Sequence, residues 1–567
     1  MRIPTLPRPA PATRLLLFLL LPLLLAIAPR AKATVVPVSS ISALQAAANV
    51  AVPGDTLVLA NGTYLNTTLG ISSSTGGFTI RAATPGGVFL NGSTNITLAG
   101  SRVVLSGFQF TSGAVAGVVI TVTGSYNTLT QLNFNGYSAA KYVRLVGHHN
   151  LVSYSNFQGK PATAPAGDLV QVDANATAVG YNVIRYCSFQ HLLGAGGDNG
   201  NECIRLGEGS MSTFAARTLV EYCYFEDTGL GDSEAISVKS RENCLRYNTM
   251  RNNPDAMFAF RNGNDNVAYG NFFLRSGGIR IKQASNISCF NNYFEEAGLG
   301  QTSGLPGGGT RAAYVEYYGP GYGSGLSFVH NTFYHCGPSQ LDAVAGPNTW
   351  SNNLFDSGTS TLFSGTGAGT SFAGNLYAGT LGLRSSTGFT AVNPQLARNA
   401  DGYFGLTAGS PAIDAASAAY PAPPGLGALR ADSTLRFDIQ GQVRPVAATL
   451  KDVGCDEFTT GPVSNRPLTL CQVGPTYLCR SGLATTPTGA GAGVALFPNP
   501  GRGRCVLTFD GSPATLLLRD ALGRLVFTAP AVGSGSALDF SPLAPGVYHY
   551  QLRRADGIVR GGRVVLE

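Results

Sequence analysis

Four charged side chains within residues 231–264 are spaced so that they could do chemistry together. Asp232 and Glu234 lie two residues apart, and Lys239 and Arg261 follow. Ile236 and Val238 share one strand face, so the period of two sends Lys239 to the other. Phe258 and Phe260 do the same for Arg261. Twenty-two residues separate the two cations. If that is one turn of a coiled sheet, they stand about 4.8 Å apart in height, the spacing of neighbouring strands. Carboxylates beside an outward Lys and Arg on adjacent strands suit an anionic substrate. Glu234 shares parity with inward Ile236, so it reaches solvent only if the chain bends between them. Two readings of the acids stay open. They pair with neighbouring arginines, or they hold a hard cation such as calcium, with an Asn such as Asn199 as third oxygen donor.

Other basic residues extend the pattern. Ile204 and Leu206 flank Arg205, and Ile279 and Ile281 flank Arg280, with Lys282 next outward. Stacked at one point of successive turns, these make a cationic stripe that focuses potential on a long anionic chain. The insertion after them, residues 303–325, is rich in glycine and aromatics. Its Tyr314, Tyr317, Tyr318 and Tyr322 are candidates to stack on sugar rings.

The elements that must position these residues form a repeat. From about residue 130 a phrase of the type N-x-F recurs, ending at Phe134, Phe157, Phe189, Phe225, Met250, Phe273, Phe294, Phe333, Phe355 and Tyr377. The shorter intervals are 21–25 residues and the others carry insertions of about ten or more. No amphipathic helical repeat runs through the units, leucine-rich phrases are absent, and propeller blades are longer. The reading is all-β: a right-handed parallel β-helix whose asparagines ladder at the bends. A short helix before Pro53-Gly54-Asp55 opens it. The ends read differently. Residues 1–33 combine a basic start, the 14-residue run LLLFLLLPLLLAIA and an Ala-Lys-Ala site, as in a cleaved signal peptide. The run is too short for the roughly 20 residues of a spanning helix, so no membrane span is expected after processing. Residues 34–458 are assigned to the β-helix, 459–490 (Thr, Pro, Gly, Ser) to a linker, and 491–567 to a small β-sandwich-like domain.

Composition narrows the function. The net charge of +7 falls to +2 without the first 33 residues, which hold five cations and no acid. A nearly neutral remainder argues against nucleic-acid binding. Cys187 and Cys223 fall at equivalent points of the repeat and read as stacked core residues. Cys471 and Cys479 are spaced to bridge across the linker.

The phrases NGNECIRLG, SEAISVKSRENCLRYNTMRN, FRNGNDNVAYGNFF and GGIRI resemble polysaccharide lyase family 6, the chondroitinase B and alginate lyase family, over roughly residues 35–460. The resemblance implies calcium on Asn199, Asp232 and Glu234, Lys239 as Brønsted base and Arg261 as acid. It further implies substrate contacts at Arg205, Arg280 and the position of Asn262. The sequence departs from the family at Asp232, where Glu is usual, and at Asn262, where His commonly follows the Arg. Asn201 lies two residues from Asn199 and is the alternative third ligand. The implied activity is β-elimination on a uronate polymer, alginate first and dermatan sulfate second. The 491–567 segment, with its FPNP opening, resembles the C-terminal sorting domain of the type IX secretion system. That implies export to the cell surface or medium, with the secretion machinery as partner. Two other classes compete. A pectin-degrading hydrolase would want clustered Asp for acid and water activation, and a non-catalytic surface β-helix would need no base.

Overall fold

The computed structural model describes residues 33–478 apart from 73, 177–179, 193–199, 230–232, 255, 300–310, 343, 418–419 and 421–434. Beyond these it describes 495–497, 503–509, 513–519, 525–544, 546–553 and 559–566. Most strands are short, and they stack in parallel into three long sheets of 14, 12 and 14 strands. Each coil contributes one strand to each sheet, which is a parallel β-helix. The one α-helix among the described residues, α1 (Ile41–Val50), is capped by the Ser40 hydroxyl on Ala43 N and buries Leu44 and Ala48 against the first coil.

The N-x-F phrase is the register mark of the third sheet. Phe134, Phe157, Phe189, Phe225, Met250, Phe273, Phe294, Phe333, Phe355 and Tyr377 pair in that order, coil upon coil. Their rings stack in the core, with centroids 5.0 Å apart for Phe157–Phe189 and 4.5 Å for Phe294–Phe333. Three residues before each of these positions the backbone turns through positive φ. Glycine fills that bend at 270 and 374, but tyrosine does so at 154, 186, 222 and 247. A left-handed tyrosine is costly alone. Here the four rings stack on one another 4.9–5.2 Å apart, which offsets the cost.

The asparagines ladder as the sequence implies. Asn248 Nδ2 donates to Asn271 Oδ1 and to Val220 O, and Asn271 repeats the pattern with Asn292 and Leu245 O. The ladder continues through Asn331 and Asn353 to Asn375. Every rung is buried, so each satisfies backbone groups that the bend would otherwise leave unpaired.

Residues 435–458 cap the flank of the solenoid rather than adding coils to it. Arg444 Nη2 donates to Asn291 Oδ1 (3.2 Å), Cys455 N to Thr332 Oγ1 (3.0 Å) and Gly454 N to Asn352 O (2.9 Å). The expected linker also differs over its first part. Residues 459–478 return along the outside of the coils: Leu468 N donates to Thr249 Oγ1 (2.8 Å), Gly474 N to Tyr186 O (2.7 Å) and Thr476 N to Gln131 Oε1 (2.8 Å). Tyr477 lies flat on Gly86, where a Cβ would come within 2.6 Å of the ring. Composition marked this stretch as loose, but its polar backbone is anchored to successive bends. Cys471 is disulfide-bonded, and its expected partner Cys479 lies outside the described residues. Cys187 and Cys223 are buried free thiols, as read.

The last domain is separate in sequence and core. It has one antiparallel sheet of three strands and one of four around Leu507, Leu516, Leu518, Phe540 and Val564. Residues 1–32, read as a signal peptide, lie outside the described residues. No helix among the described residues is long and apolar enough to cross a membrane.

Candidate active site

Six strands of the second sheet present the charged residues. They are β1 (Val170–Val172), β2 (Ile204–Leu206), β3 (Glu234–Val238), β4 (Met257–Arg261), β5 (Ile279–Lys282) and β6 (Ala313–Glu316). Val170, Ile204, Ile236, Phe258, Ile279 and Ala313 align on the inner face. One register position on, Gln171, Arg205, Ser237, Ala259, Arg280 and Tyr314 align on the outer face. Val238 pairs with Phe260, so Lys239 and Arg261 follow at the same point of adjacent coils, and Arg261 pairs with Lys282. The outward row expected from alternation is therefore present.

Glu234 reaches this face because the register slips between Glu234 and Ile236. That irregularity is the bend the alternation required, and re-aiming a side chain is a common use of a bulge. The Glu234 carboxylate is 1% exposed. It accepts from Ser237 Oγ (2.5 Å) and Arg261 Nη1 (3.4 Å), with Arg280 Nη1 at 3.8 Å.

The cations expected to stand free in solvent are matched by acids. Lys239 Nζ lies 3.6 Å from Glu202 Oε1. Arg205 Nη2 lies 2.7 Å from Asp168 Oδ2 and 3.2 Å from Glu208. Arg280 is only 3% exposed, paired with Glu316 at 2.8 Å, and Lys282 lies 3.6 Å from the same carboxylate. The physical reason is burial. The side chains of the stripe are 3–19% exposed, and a covered cation persists only with a counter-charge. Arg280 therefore reads as a brace for Glu234 and Glu316 more than as an open substrate contact.

Asp168, Glu202 and Glu234 each sit two residues before an inward residue, namely Val170, Ile204 and Ile236. They form an acidic column beside the basic one. Sequence reasoning found Glu234 and passed over the other two, although the shared offset was available as a signal. Lys160 was also missed. It is fully buried and donates to Ala140 O and Gly167 O, closing the insertion next to Asp168, and burial pushes its amine down to about 8 against the pull of Asp168.

The aromatic candidates divide. The Tyr314 ring lies between Arg280 and Arg311, at 5.9 and 4.6 Å from the guanidinium carbons. Tyr317 is 55% exposed beyond the end of β6, with its N–H on Asp342. The Tyr318 ring lies under Lys282 Nζ, 5.1 Å from the ring centroid, and Tyr322 is 39% exposed. Asn262 takes φ of 70° just past Arg261, a conformation that Asn accepts more readily than most residues, and its N–H donates to Lys282 O.

Two of the three expected metal ligands, Asn199 and Asp232, lie outside the described residues. Among the described residues no group of three or more His, Cys, Asp or Glu side chains is arranged to hold a metal ion. Glu234, the third, is a buried carboxylate, the ligand type a hard cation takes, and its nearest described oxygen donor is the Ser237 hydroxyl. The alternative ligand, Asn201, has its Oδ1 engaged by Gly167 N.

Within these coils the family comparison covers the whole constellation. Residues 38–304 match the family described as Chondroitinase B. The Chondroitinase B match takes in a little under half of the chain, including Lys239, Arg261 and every expected ligand, and stops short of Tyr314. The fold is similar to that of the PL6 family alginate lyase AlyGC, with a TM-score of 0.57 and 24% identity over 66% of this chain. This chain spans 55% of that protein's length. It is also similar to a mannuronic acid specific family 6 lyase from human gut microbiota (TM-score 0.51, 22% identity, 64% of this chain and 91% of that one). A third likeness is to a PL6 alginate lyase in complex with a trisaccharide (TM-score 0.50, 17% identity, 67% and 92%). No curated protein matches the sequence. The Chondroitinase B match lies over the coils that carry the charged rows, and these likenesses show that the fold is shared.

Proposed function

We propose that this chain is a polysaccharide lyase that cleaves a uronate polymer, alginate in first place, by β-elimination. The observation that carries the reading is the pair Lys239 and Arg261, set at one point of adjacent coils and each backed by a buried carboxylate. The alginate preference draws on the activities of the lyases that share the fold.

In the reaction a neutral Lys239 amine takes the C5 proton of the uronate. The electrons of that C–H bond form the C4–C5 double bond, and the C4–O bond breaks. The lysine becomes an ammonium in the step, and Glu202 at 3.6 Å is placed to stabilise it. Arg261, held by Glu234, faces the oxygen that leaves. A guanidinium is a poor proton donor, so its contribution is charge stabilisation, with water completing the protonation. Calcium would be held by Glu234 with Asp232 and Asn199, and when bound it would mask the uronate carboxylate as a Lewis acid. Ser237 and Arg280 fix the Glu234 carboxylate in place.

Dermatan sulfate is the second reading, favoured by the description of the matched family. Export through a cleaved signal peptide and a type IX sorting domain is part of the proposal. Its support is the N-terminal sequence and the separate antiparallel core of the last domain.

The test is ultraviolet absorbance of the unsaturated product from alginate and from dermatan sulfate, with and without a calcium chelator. Absorbance that rises on alginate and stops on chelation is expected. A rise on dermatan sulfate alone would change the substrate, and none on either would overturn the lyase reading.

A further inference from the structure

The charges are unevenly distributed about Lys239. On the coils of β1 and β2 the groove carries Asp168, Asp173, Glu202 and Glu208 against Lys160 and Arg205. Lys141 and Arg144, from the coil below, are tied to Asp168 (2.9 Å) and Asp173 (2.8 Å). On the coils of β4 to β6 the balance reverses: Arg261, Arg280, Lys282 and Arg311 stand with Glu316 as the acid of those coils, and Glu234 reaches Arg261 and Arg280 from β3. The aromatic rings Tyr314 and Tyr318 lie on that side too. Successive coils are about 4.8 Å apart, close to the rise of one extended pyranose unit, so neighbouring uronates would meet neighbouring coils.

Resting on the uronate-lyase reading, we propose that the bound chain extends from Lys239 over β4, β5 and β6, and that Glu208 limits how far it runs toward β1. Glu208 is the acid of the β1–β2 block that meets solvent most openly, with 42% of its side chain exposed. Arg205 at 3.2 Å and Gln171 at 2.9 Å hold it over the outer row. A carboxylate fixed there repels the carboxylate of a sugar placed one coil beyond the cleavage point. An anionic chain is then cut near one end of its bound stretch, and Glu208 sets the length of the shorter product. This makes Glu208 a specificity-determining residue and not a catalytic one.

The experiment digests a defined-length oligouronate series and the polymer with the full chain and its Glu208→Gln and Glu208→Lys variants. Early products are sized by mass spectrometry. Wild type is expected to release a narrow set of short products. Glu208→Gln should lengthen the shorter product by a sugar or more and raise kcat/KM on the polymer about two- to fivefold, the scale of one exposed charge. Glu208→Lys should go further in the same direction. Equal product lengths for all three proteins, with unsaturated product formed, overturn the proposal and leave the lyase reading standing. Absence of unsaturated product from all three overturns the lyase reading, and this proposal with it.

Discussion

Lys239 Nζ and Glu202 Oε1 face each other across neighbouring coils at 3.6 Å, both side chains almost covered. The pair couples the residue assigned as base to an acid that the sequence did not single out. Lys239→Ala should lower turnover by about 10² to 10⁴, the range of a general base. It should also lower stability, because Glu202 loses a cationic partner. A double-mutant cycle with Glu202→Gln, followed by urea unfolding, should give a coupling on the order of 1–3 kcal/mol. Unchanged turnover in Lys239→Ala would remove it as the base.

Arg261 and Arg280 should separate by readout. Arg280 is buried between Glu234 and Glu316, so Arg280→Met should cost about 3–5 kcal/mol by leaving the two covered acids only their longer contacts to Arg261 and Lys282. Arg261 is more open and makes one longer contact. Arg261→Ala should cost about 1 kcal/mol or less, while lowering kcat about 10²-fold or more. Thermal melts and initial rates on the same preparations check both, and a reversed order would exchange the two roles.

On the proposed calcium reading, the ion should raise the melting temperature with the logarithm of its concentration above Kd, the behaviour of a ligand that binds the folded state alone. Glu234→Gln should abolish that rise. A melt in calcium against chelator reads this without reference to activity. A rise that survives the substitution would place the ion elsewhere.

The flank cap should be most stable in acid. Asp456 is pushed up to about 7 by burial, with Asp438 adding to the effect, and Glu457 is pushed up to about 7 by burial against Arg444. Burial raises Asp438 and Asp452 as well, while Arg444, Lys451 and His330 are the basic groups beside them. Carboxyls with raised folded pKa values bind more protons in the native state between about pH 4 and 7. Stability therefore falls as pH rises through that window and levels above it. Asp456→Asn, which keeps an acceptor for the Tyr403 hydroxyl, should flatten the fall. Melting temperatures from pH 4.5 to 8 decide it, and a rise with pH would contradict the assignment.

Periodicity carried the fold. The ten phrase endings are the register of one sheet, because a stacked aromatic in the core must recur once per coil. Alternation also gave the outward face of Lys239 and Arg261, since each follows two buried apolar residues that share the inner face, Ile236 and Val238 for one and Phe258 and Phe260 for the other. Glu234 shows where that logic stops: its parity is wrong, and only the register slip turns it outward. Asp168 and Glu202 precede their strands, where no period applies, so their partnership with Arg205 and Lys239 appears only when coils are stacked. Residues 459–478 were illegible for another reason. Their composition is that of a free chain, and what fixes them is hydrogen bonding to bends up to 346 positions earlier.

That returning segment changes how the solenoid can come apart. Coils that touch only their neighbours fray from the ends, one at a time. Here Asn465 is fastened at Gly270, Leu468 at Thr249, Gly474 at Tyr186 and Thr476 at Gln131, and Tyr477 rests on Gly86. Peeling the first coils exposes Tyr477, and releasing it loosens a thread stitched through the middle of the stack. A quasi-one-dimensional array thereby gains a long-range tie. Its melting should be one concerted event in place of a sequence of small ones.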